Sequence, residues 1–247
     1  DCLLSRGLGD VYKRQVSTEA ANMKKRMSLA QRVNILRASV MGANDGILSV
    51  AGIVVGVAGA TTNSFSILIS GLAGMLAGTI SMAMGEYVSV NTQKDSQKMA
   101  ITKQKAALAD DYEAEASLVV QKYVDQGISK PLAQQATREM MAEDALTTTV
   151  RERYGFNPNQ FISPYAAGIA SMIAFPTGSI LPLVSITFFP PRVKVLATVL
   201  AVGIALMITG YVAAMLGNAN RRRGMVRNVV AGLLTMIVTY FIGHLFA

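Results

Sequence analysis

Leu36-Arg37-Ala38-Ser39-Val40-Met41-Gly42-Ala43-Asn44-Asp45-Gly46-Ile47-Leu48-Ser49 opens an apolar run that continues to Ala60 with no charge after Asp45. A second run, 65–90, is largely apolar and carries no charge except Glu86. Each is long enough to cross about 30 Å of hydrocarbon as a helix. A carboxylate at membrane depth costs roughly 2.5–3.5 kcal/mol on insertion scales, and is kept where it binds or relays something. The chain has 15 acidic residues, and the other 13 fall in stretches that read as aqueous. Asp45 and Glu86 therefore suggest that a cation or proton moves through a membrane.

Three further apolar runs, 161–189, 193–217 and 225–247, bring the expected spans to five. The third contains Pro164, Pro176 and Pro182, which predict a kinked or partly unwound helix. The composition agrees with a membrane protein: 51% hydrophobic, mean hydropathy +0.38, and 15% charged residues against about 25% in a soluble domain. The fold class expected is an all-α integral membrane protein with five transmembrane helices and a cytoplasmic three-helix insert between spans two and three.

The net charge of +8 follows topology. Eight Lys and Arg precede or begin the first span, nine lie in 91–160 and four in 218–227, against Arg192 and Lys194 on the other side. Positive residues favour the cytoplasm, which places the N-terminus and both basic loops there and the C-terminus outside. Membrane lipid is then the partner for the surplus charge, nucleic acid is not expected, and a prokaryotic chain of this kind belongs in the plasma (inner) membrane as a multi-pass protein.

Residues 1–15, which include Ser5-Arg6-Gly7-Leu8-Gly9-Asp10-Val11-Tyr12-Lys13-Arg14-Gln15, resemble an adaptor-derived sequencing artefact and are set aside. Residues 16–35 read as a cytoplasmic N-terminal segment. Cys2, the only cysteine, lies in 1–15 and is set aside with it; His244 is the only histidine. A metal site must therefore use Asp, Glu, Met, Asn or backbone oxygen, a set suited to hard or borderline divalent ions.

The segment 91–160 carries ten acids and nine bases and reads as three helices. The first continues the second span into water. The second, 112–126, stops at Gly127, and the third starts at Ser129 with Pro131 in its first turn and runs to about Tyr154.

Several groups of residues admit two readings. Asn44, Asp45 and the flanking Gly42 and Gly46 offer oxygen ligands at a local unwinding, or else mark a helix start with Asp45 as its cap. Met75, Thr79, Met82 and Glu86 share one helical face; Met82, one turn from Glu86, either shares a cation with it or packs as filler. Gly74 and Gly78 form a small-residue packing motif. In the insert, Glu113 and Glu115, with Asp110 and Asp111, and the run Glu139-Met140-Met141-Ala142-Glu143-Asp144 either bind divalent ions inside a bundle or form a solvated acidic face. Tyr211, Tyr240 and His244 read as interfacial anchors or packing residues. No phosphate-binding loop, nucleophile elbow or His-Glu-x-x-His pair is present, and no enzymatic activity or resident cofactor is expected.

The run 36–49 resembles the first-span signature of the vacuolar iron transporter (VIT/CCC1) family. Gly71-Leu72-Ala73-Gly74 and Ser81-Met82-Ala83-Met84-Gly85-Glu86-Tyr87-Val88-Ser89-Val90 resemble its second-span signature. The resemblance covers about residues 28–247. It implies a homodimer with a pore between the copies, carrying Fe²⁺, and sometimes Mn²⁺, out of the cytoplasm in exchange for protons. It places the pore ligands on Asp45, Met82 and Glu86, and metal collection in the insert on Glu113, Glu115, Glu139, Met140, Met141, Glu143 and Asp144. Gln104, Ala107 and Leu118 stand where that pattern has acids, which predicts an insert with weakened or altered metal binding. The alternatives are a membrane protein whose insert stores or senses metal without transport, and a cation channel without proton coupling.

Overall fold

The computed structural model describes residues 29–247. The segment 1–15 and residues 16–28 of the N-terminal segment lie outside them. All regular structure among the described residues is helical: α1 (Leu29–Ala60), α2 (Ser64–Asp110), α3 (Tyr112–Asp125), α4 (Lys130–Tyr154), α5 (Pro164–Phe188), α6 (Lys194–Leu216) and α7 (Arg221–His244). Five of them, α1, α2, α5, α6 and α7, are long and apolar enough to cross a membrane.

The helix starts follow local chemistry. Asn63, Ser163 and Asn220 each accept a hydrogen bond from a backbone N–H in the first turn of α2, α5 and α7, satisfying donors the helix itself cannot. Asp111 does the same for α3 through Ala114 N at 2.9 Å. Gly127 (φ 94°) and Gly155 (φ 74°) end α3 and α4 in the left-handed conformation that glycine adopts without strain. Helix α4 thus ends at Tyr154, with Gly155 as its cap.

At the centre of the membrane part is α1, which touches α2, α5, α6 and α7. Its Val50, Ala51, Val54 and Val55 are buried with Ile67 of α2, Phe175, Leu183 and Ile186 of α5, Val202 and Leu206 of α6, and Met236 of α7. Glycine allows the closest approach: a Cβ on Gly46 would strike the Phe175 carbonyl, and one on Gly178 the Ala43 carbonyl. The Gly74/Gly78 motif is used within the chain, against Ile53 of α1 and Phe175 of α5. Facing outward, Leu196, Leu200, Ile204 and Ile208 of α6 are each well over half exposed, as lipid contact permits and water does not.

Three expectations are corrected. Helix α1 runs unbroken through Gly42–Gly46, so Asp45 is neither at an unwinding nor a cap; the glycines serve the α1–α5 contact instead. Helix α5 is continuous from Pro164 to Phe188 despite Pro176 and Pro182. Pro164 sits in its first turn, where no N–H is needed; Pro176 and Pro182 take the donors only from the Met172 and Gly178 carbonyls, and the close α1–α5 contact at Gly46 and Gly178 braces the helix across them. Helix α4, expected to be regular, has a non-helical Asp144 (φ −155°, ψ 95°) that splits it.

Helix α2 has 47 residues, about 70 Å at 1.5 Å per residue, so it carries the chain well beyond the hydrocarbon. Its far end packs with α3 and α4, which pack on each other.

Candidate functional site

Asp45 lies at the midpoint of the Gln31–Ala60 span. Arg37, Met41, Asp45 and Ser49 recur every four residues and form one stripe of α1, the first three exposed and Ser49 half-buried. The stripe is bonded along its length. Arg37 Nη1 donates to Met41 Sδ at 3.5 Å, and Ser49 Oγ to Asp45 Oδ1 at 2.9 Å. No cation among the described residues is paired with Asp45, so an exposed carboxylate stands at mid-span, where lipid contact is unfavourable.

A second acidic side chain within the spans belongs to α2. Glu86 of α2 is 8% exposed, and its Oε2 accepts from Arg37 Nη2 at 3.0 Å. Arg37 also donates from Nη2 to Asn34 Oδ1 at 3.2 Å. Eight residues separate Arg37 from Asp45, about 12 Å along the helix, so the pair forms a layer above the mid-span carboxylate. Met82, one turn from Glu86, is half-buried and packs against the apolar core; Met75 does likewise.

Behind the stripe is a polar cluster. Asn44 Oδ1 accepts from Asn228 Nδ2 of α7 at 2.8 Å and from Thr209 Oγ1 of α6 at 3.3 Å. It pins the residue next to Asp45 to two other helices, so the position of the carboxylate is set by its neighbour.

In α3 and α4 the acids are dispersed. Glu115 is buried and accepts from Arg153 Nη1 at 2.9 and 3.1 Å and from Gln104 Nε2 at 2.6 Å. Gln104 is fully buried, and the three residues tie α2, α3 and α4 together. Glu113 and Glu143 are exposed, as is Glu139, whose Oε1 accepts from Gln135 at 3.0 Å. Met141 is buried at 5% exposure. Met140 is half-buried, its sulfur accepting from Arg151 at 3.6 Å and the Tyr123 hydroxyl at 3.9 Å. Asp144 caps the second half of α4, its Oδ1 accepting from Thr147 N at 2.9 Å and its Oδ2 from Thr147 Oγ1 at 2.6 Å. Hydrogen bonds from the Thr147 hydroxyl and backbone, with a lesser one from Leu146 N, hold its carboxyl below the usual range against the opposing effect of burial. Burial works against ionisation of Glu152, yet hydrogen bonds from Lys122, Tyr123 and Arg151 outweigh it and hold that carboxyl low as well. Tyr123, in turn, is pushed up by burial and by Glu152. Among the described residues no three His, Cys, Asp or Glu side chains come together as a metal cage.

The chain belongs to the VIT family. The family model matches residues 36–244, spanning α1 from its exposed stripe through to the end of α7. The chain is similar to the vacuolar iron transporter of Acanthamoeba castellanii, 34% identical over 227 residues, 92% of this chain and 84% of that one. It is also 34% identical to vacuolar iron transporter homolog 2 of Oryza sativa subsp. japonica over 221 residues, 87% of this chain and 93% of the relative. Vacuolar iron transporter homolog 2 of Arabidopsis thaliana is 30% identical over 212 residues, 85% and 84% of the two chains.

Within this VIT-family chain, the structure brings Glu86 and Met82 to one face of α2 and places Asp45 on the exposed stripe of α1. It does not bring the insert residues Glu113, Glu115, Glu139, Met140, Met141, Glu143 and Asp144 into one cluster. Sequence reading passed over Arg37, counted only as a topogenic charge, and Thr209 and Asn228, while Asn44, read as an oxygen ligand, serves as an acceptor between helices. Arg37 carried a usable signal: it lies eight residues before Asp45, so the two share a helix face. The partners Thr209 and Asn228 are more than 160 residues from Asn44 and carried none.

Proposed function

We propose that this chain is a proton-coupled transporter of divalent metal, Fe²⁺ and also Mn²⁺, exporting it from the cytoplasm. The observation that carries the reading is the exposed Asp45 at the midpoint of a membrane-spanning helix, on a stripe of polar and thioether side chains. Family membership and relatives named vacuolar iron transporters support metal as the cargo.

A second copy of the chain is the simplest cover for the stripe. Two α1 helices facing each other would line a pore with two Asp45 carboxylates, and a carboxylate that holds a proton when empty and yields it to an arriving cation exchanges one for the other. The ion enters past Glu86 and Met82 and moves to Asp45. Segment 91–160, with its nine Lys and Arg, lies on the cytoplasmic side under the positive-inside rule and stands at the entrance as a three-helix insert. The division of the chain into spans 36–90 and 161–247 around that insert is part of the same proposal, as is residence in the plasma (inner) membrane of a prokaryotic host. The dispersal of the insert's acids favours transport over storage or sensing.

The test is uptake of Fe²⁺ and Mn²⁺ into proteoliposomes with internal pH recorded. Metal influx with proton efflux is expected, and Asp45→Ala or Glu86→Ala should abolish it while the protein remains folded. Flux indifferent to a pH gradient would replace the antiporter with a channel, and full activity in either variant would remove the proposed pathway.

A further inference from the structure

We propose that Arg37 is the resident counter-cation of Glu86 and acts as a charge filter, yielding its place to divalent but not to monovalent cations. The inference rests on the transport reading above and adds to it a residue that sets selectivity. Three observations carry it. The Glu86 carboxylate is almost fully buried, and its one cationic partner among the described residues is Arg37. The Arg37 side chain is nearly half exposed, at 47%, so it has room to leave. Its other contacts, Asn34 Oδ1 and Met41 Sδ, are both on its own helix, and Met41 lies on the stripe that leads to Asp45.

A buried carboxylate without a counter-charge is strongly unfavourable, so Glu86 exchanges one cation for another rather than standing empty. The guanidinium is tethered, with an effective concentration on the order of millimolar or above. A monovalent ion offers the same single charge without the tether and without the planar hydrogen bond of arginine to carboxylate. It therefore loses the competition. A divalent ion brings twice the charge and can take the Met82 thioether one turn away as a further ligand. Once displaced, Arg37 remains on α1 and is free to return to Glu86 when the ion moves on toward Asp45. The step is an exchange of ion pairs in which no covalent bond changes.

The bland alternative is that the pair only fastens α1 to α2. Equilibrium binding separates the two without relying on flux. Mn²⁺ binding to the intact purified protein in detergent would be read from the electron paramagnetic resonance signal of free Mn²⁺. It would be run in Na⁺ and, at equal ionic strength, in the bulky cation N-methyl-D-glucamine. We expect R37Q to bind Mn²⁺ at least tenfold more tightly than the wild type and to become sensitive to Na⁺. R37K, which keeps a tethered charge, should stay close to the wild type, and R37Q/E86Q should lose the gain. A lower melting temperature in R37Q with unchanged Mn²⁺ affinity would overturn the filter and leave only the fastening role. No Mn²⁺ binding by either wild type or R37Q would overturn it as well. If the affinities shift as expected but proteoliposomes of the wild type carry no metal, the filter stands and the transport reading fails.

Discussion

At the scale of single residues, two neighbours on α1 divide the work. Asp45 faces outward and Asn44 inward, and only Asn44 has partners on other helices. Their substitutions should therefore fail differently. Asn44→Leu takes the acceptor at that position from the Asn228 amide, while the Thr209 hydroxyl keeps the Leu206 carbonyl at 3.3 Å, and hydrogen bonds between membrane helices contribute about 0.6 kcal/mol on average and up to about 1.7. A loss of about 1 kcal/mol is expected, read as a lower melting temperature of the protein in detergent. Asp45→Asn breaks no contact between helices, since the bonded Ser49 is on the same helix. It should leave the melting temperature unchanged or raise it slightly, because a charge at mid-span has been removed, while metal flux is lost. A melting temperature that falls as far for Asp45→Asn as for Asn44→Leu would show that Asp45 is a structural residue.

At the scale of elements, α4 shows a short acidic run serving the backbone. Asp144 starts a new helical segment by bonding Thr147, so the run Glu139–Asp144, read as a candidate ion-binding group, is broken at the kink. Because the folded carboxyl is held below its ordinary value of about 3.9, its contribution is fully present above about pH 4 and is lost as pH falls through the folded value. Asp144→Asn keeps a capping oxygen but has no proton to bind. Hydrogen-exchange protection of 145–150 in the intact protein should therefore fall with acid in the wild type more than in Asp144→Asn, with Glu152, also held low, adding a residual acid dependence to both. Equal acid sensitivity would remove Asp144 as the source. The spans were legible in the sequence because twenty apolar residues carry their meaning alone, and the continuation of α2 past Val90 was legible because nothing in 91–109 stops a helix. The kink was not, because a capping aspartate inside a helical pattern looks like one more acid. Nor was the continuity of α5, since the effect of Pro176 and Pro182 depends on what α1 packs against that helix. Of the candidate site, the carboxylates stood out through their cost in lipid, whereas their partners Arg37 and Asn228 were visible only once distant segments were brought together.

At the scale of the whole molecule, the decisive fact is a mismatch between surface and solvent. Helix α6 presents leucines and isoleucines outward, as lipid allows, while α1 presents Arg37, Met41 and Asp45 outward from the middle of the same bundle. A monomer in lipid would leave a carboxylate facing hydrocarbon; two copies joined along α1 would bury both stripes against each other and leave the apolar faces outside. Proximity of the two α1 helices can be measured directly because the only cysteine in the sequence, Cys2, is easily replaced. In a Cys2→Ser background, Met41→Cys lies on the stripe one turn from Asp45, and its exposed side chain would meet its counterpart across a two-fold axis. Oxidation in membranes should convert most of this variant to a covalent dimer. Ile204→Cys, on the outward face of α6, should remain monomeric under the same oxidant. Divalent metal bound between the stripes would hold the two copies in register, so adding Mn²⁺ should speed cross-linking of Met41→Cys, and a further Asp45→Asn substitution should abolish that acceleration. Efficient cross-linking at Ile204 with none at Met41 would place the partner on α6 and leave Asp45 without the second carboxylate of the proposed pore.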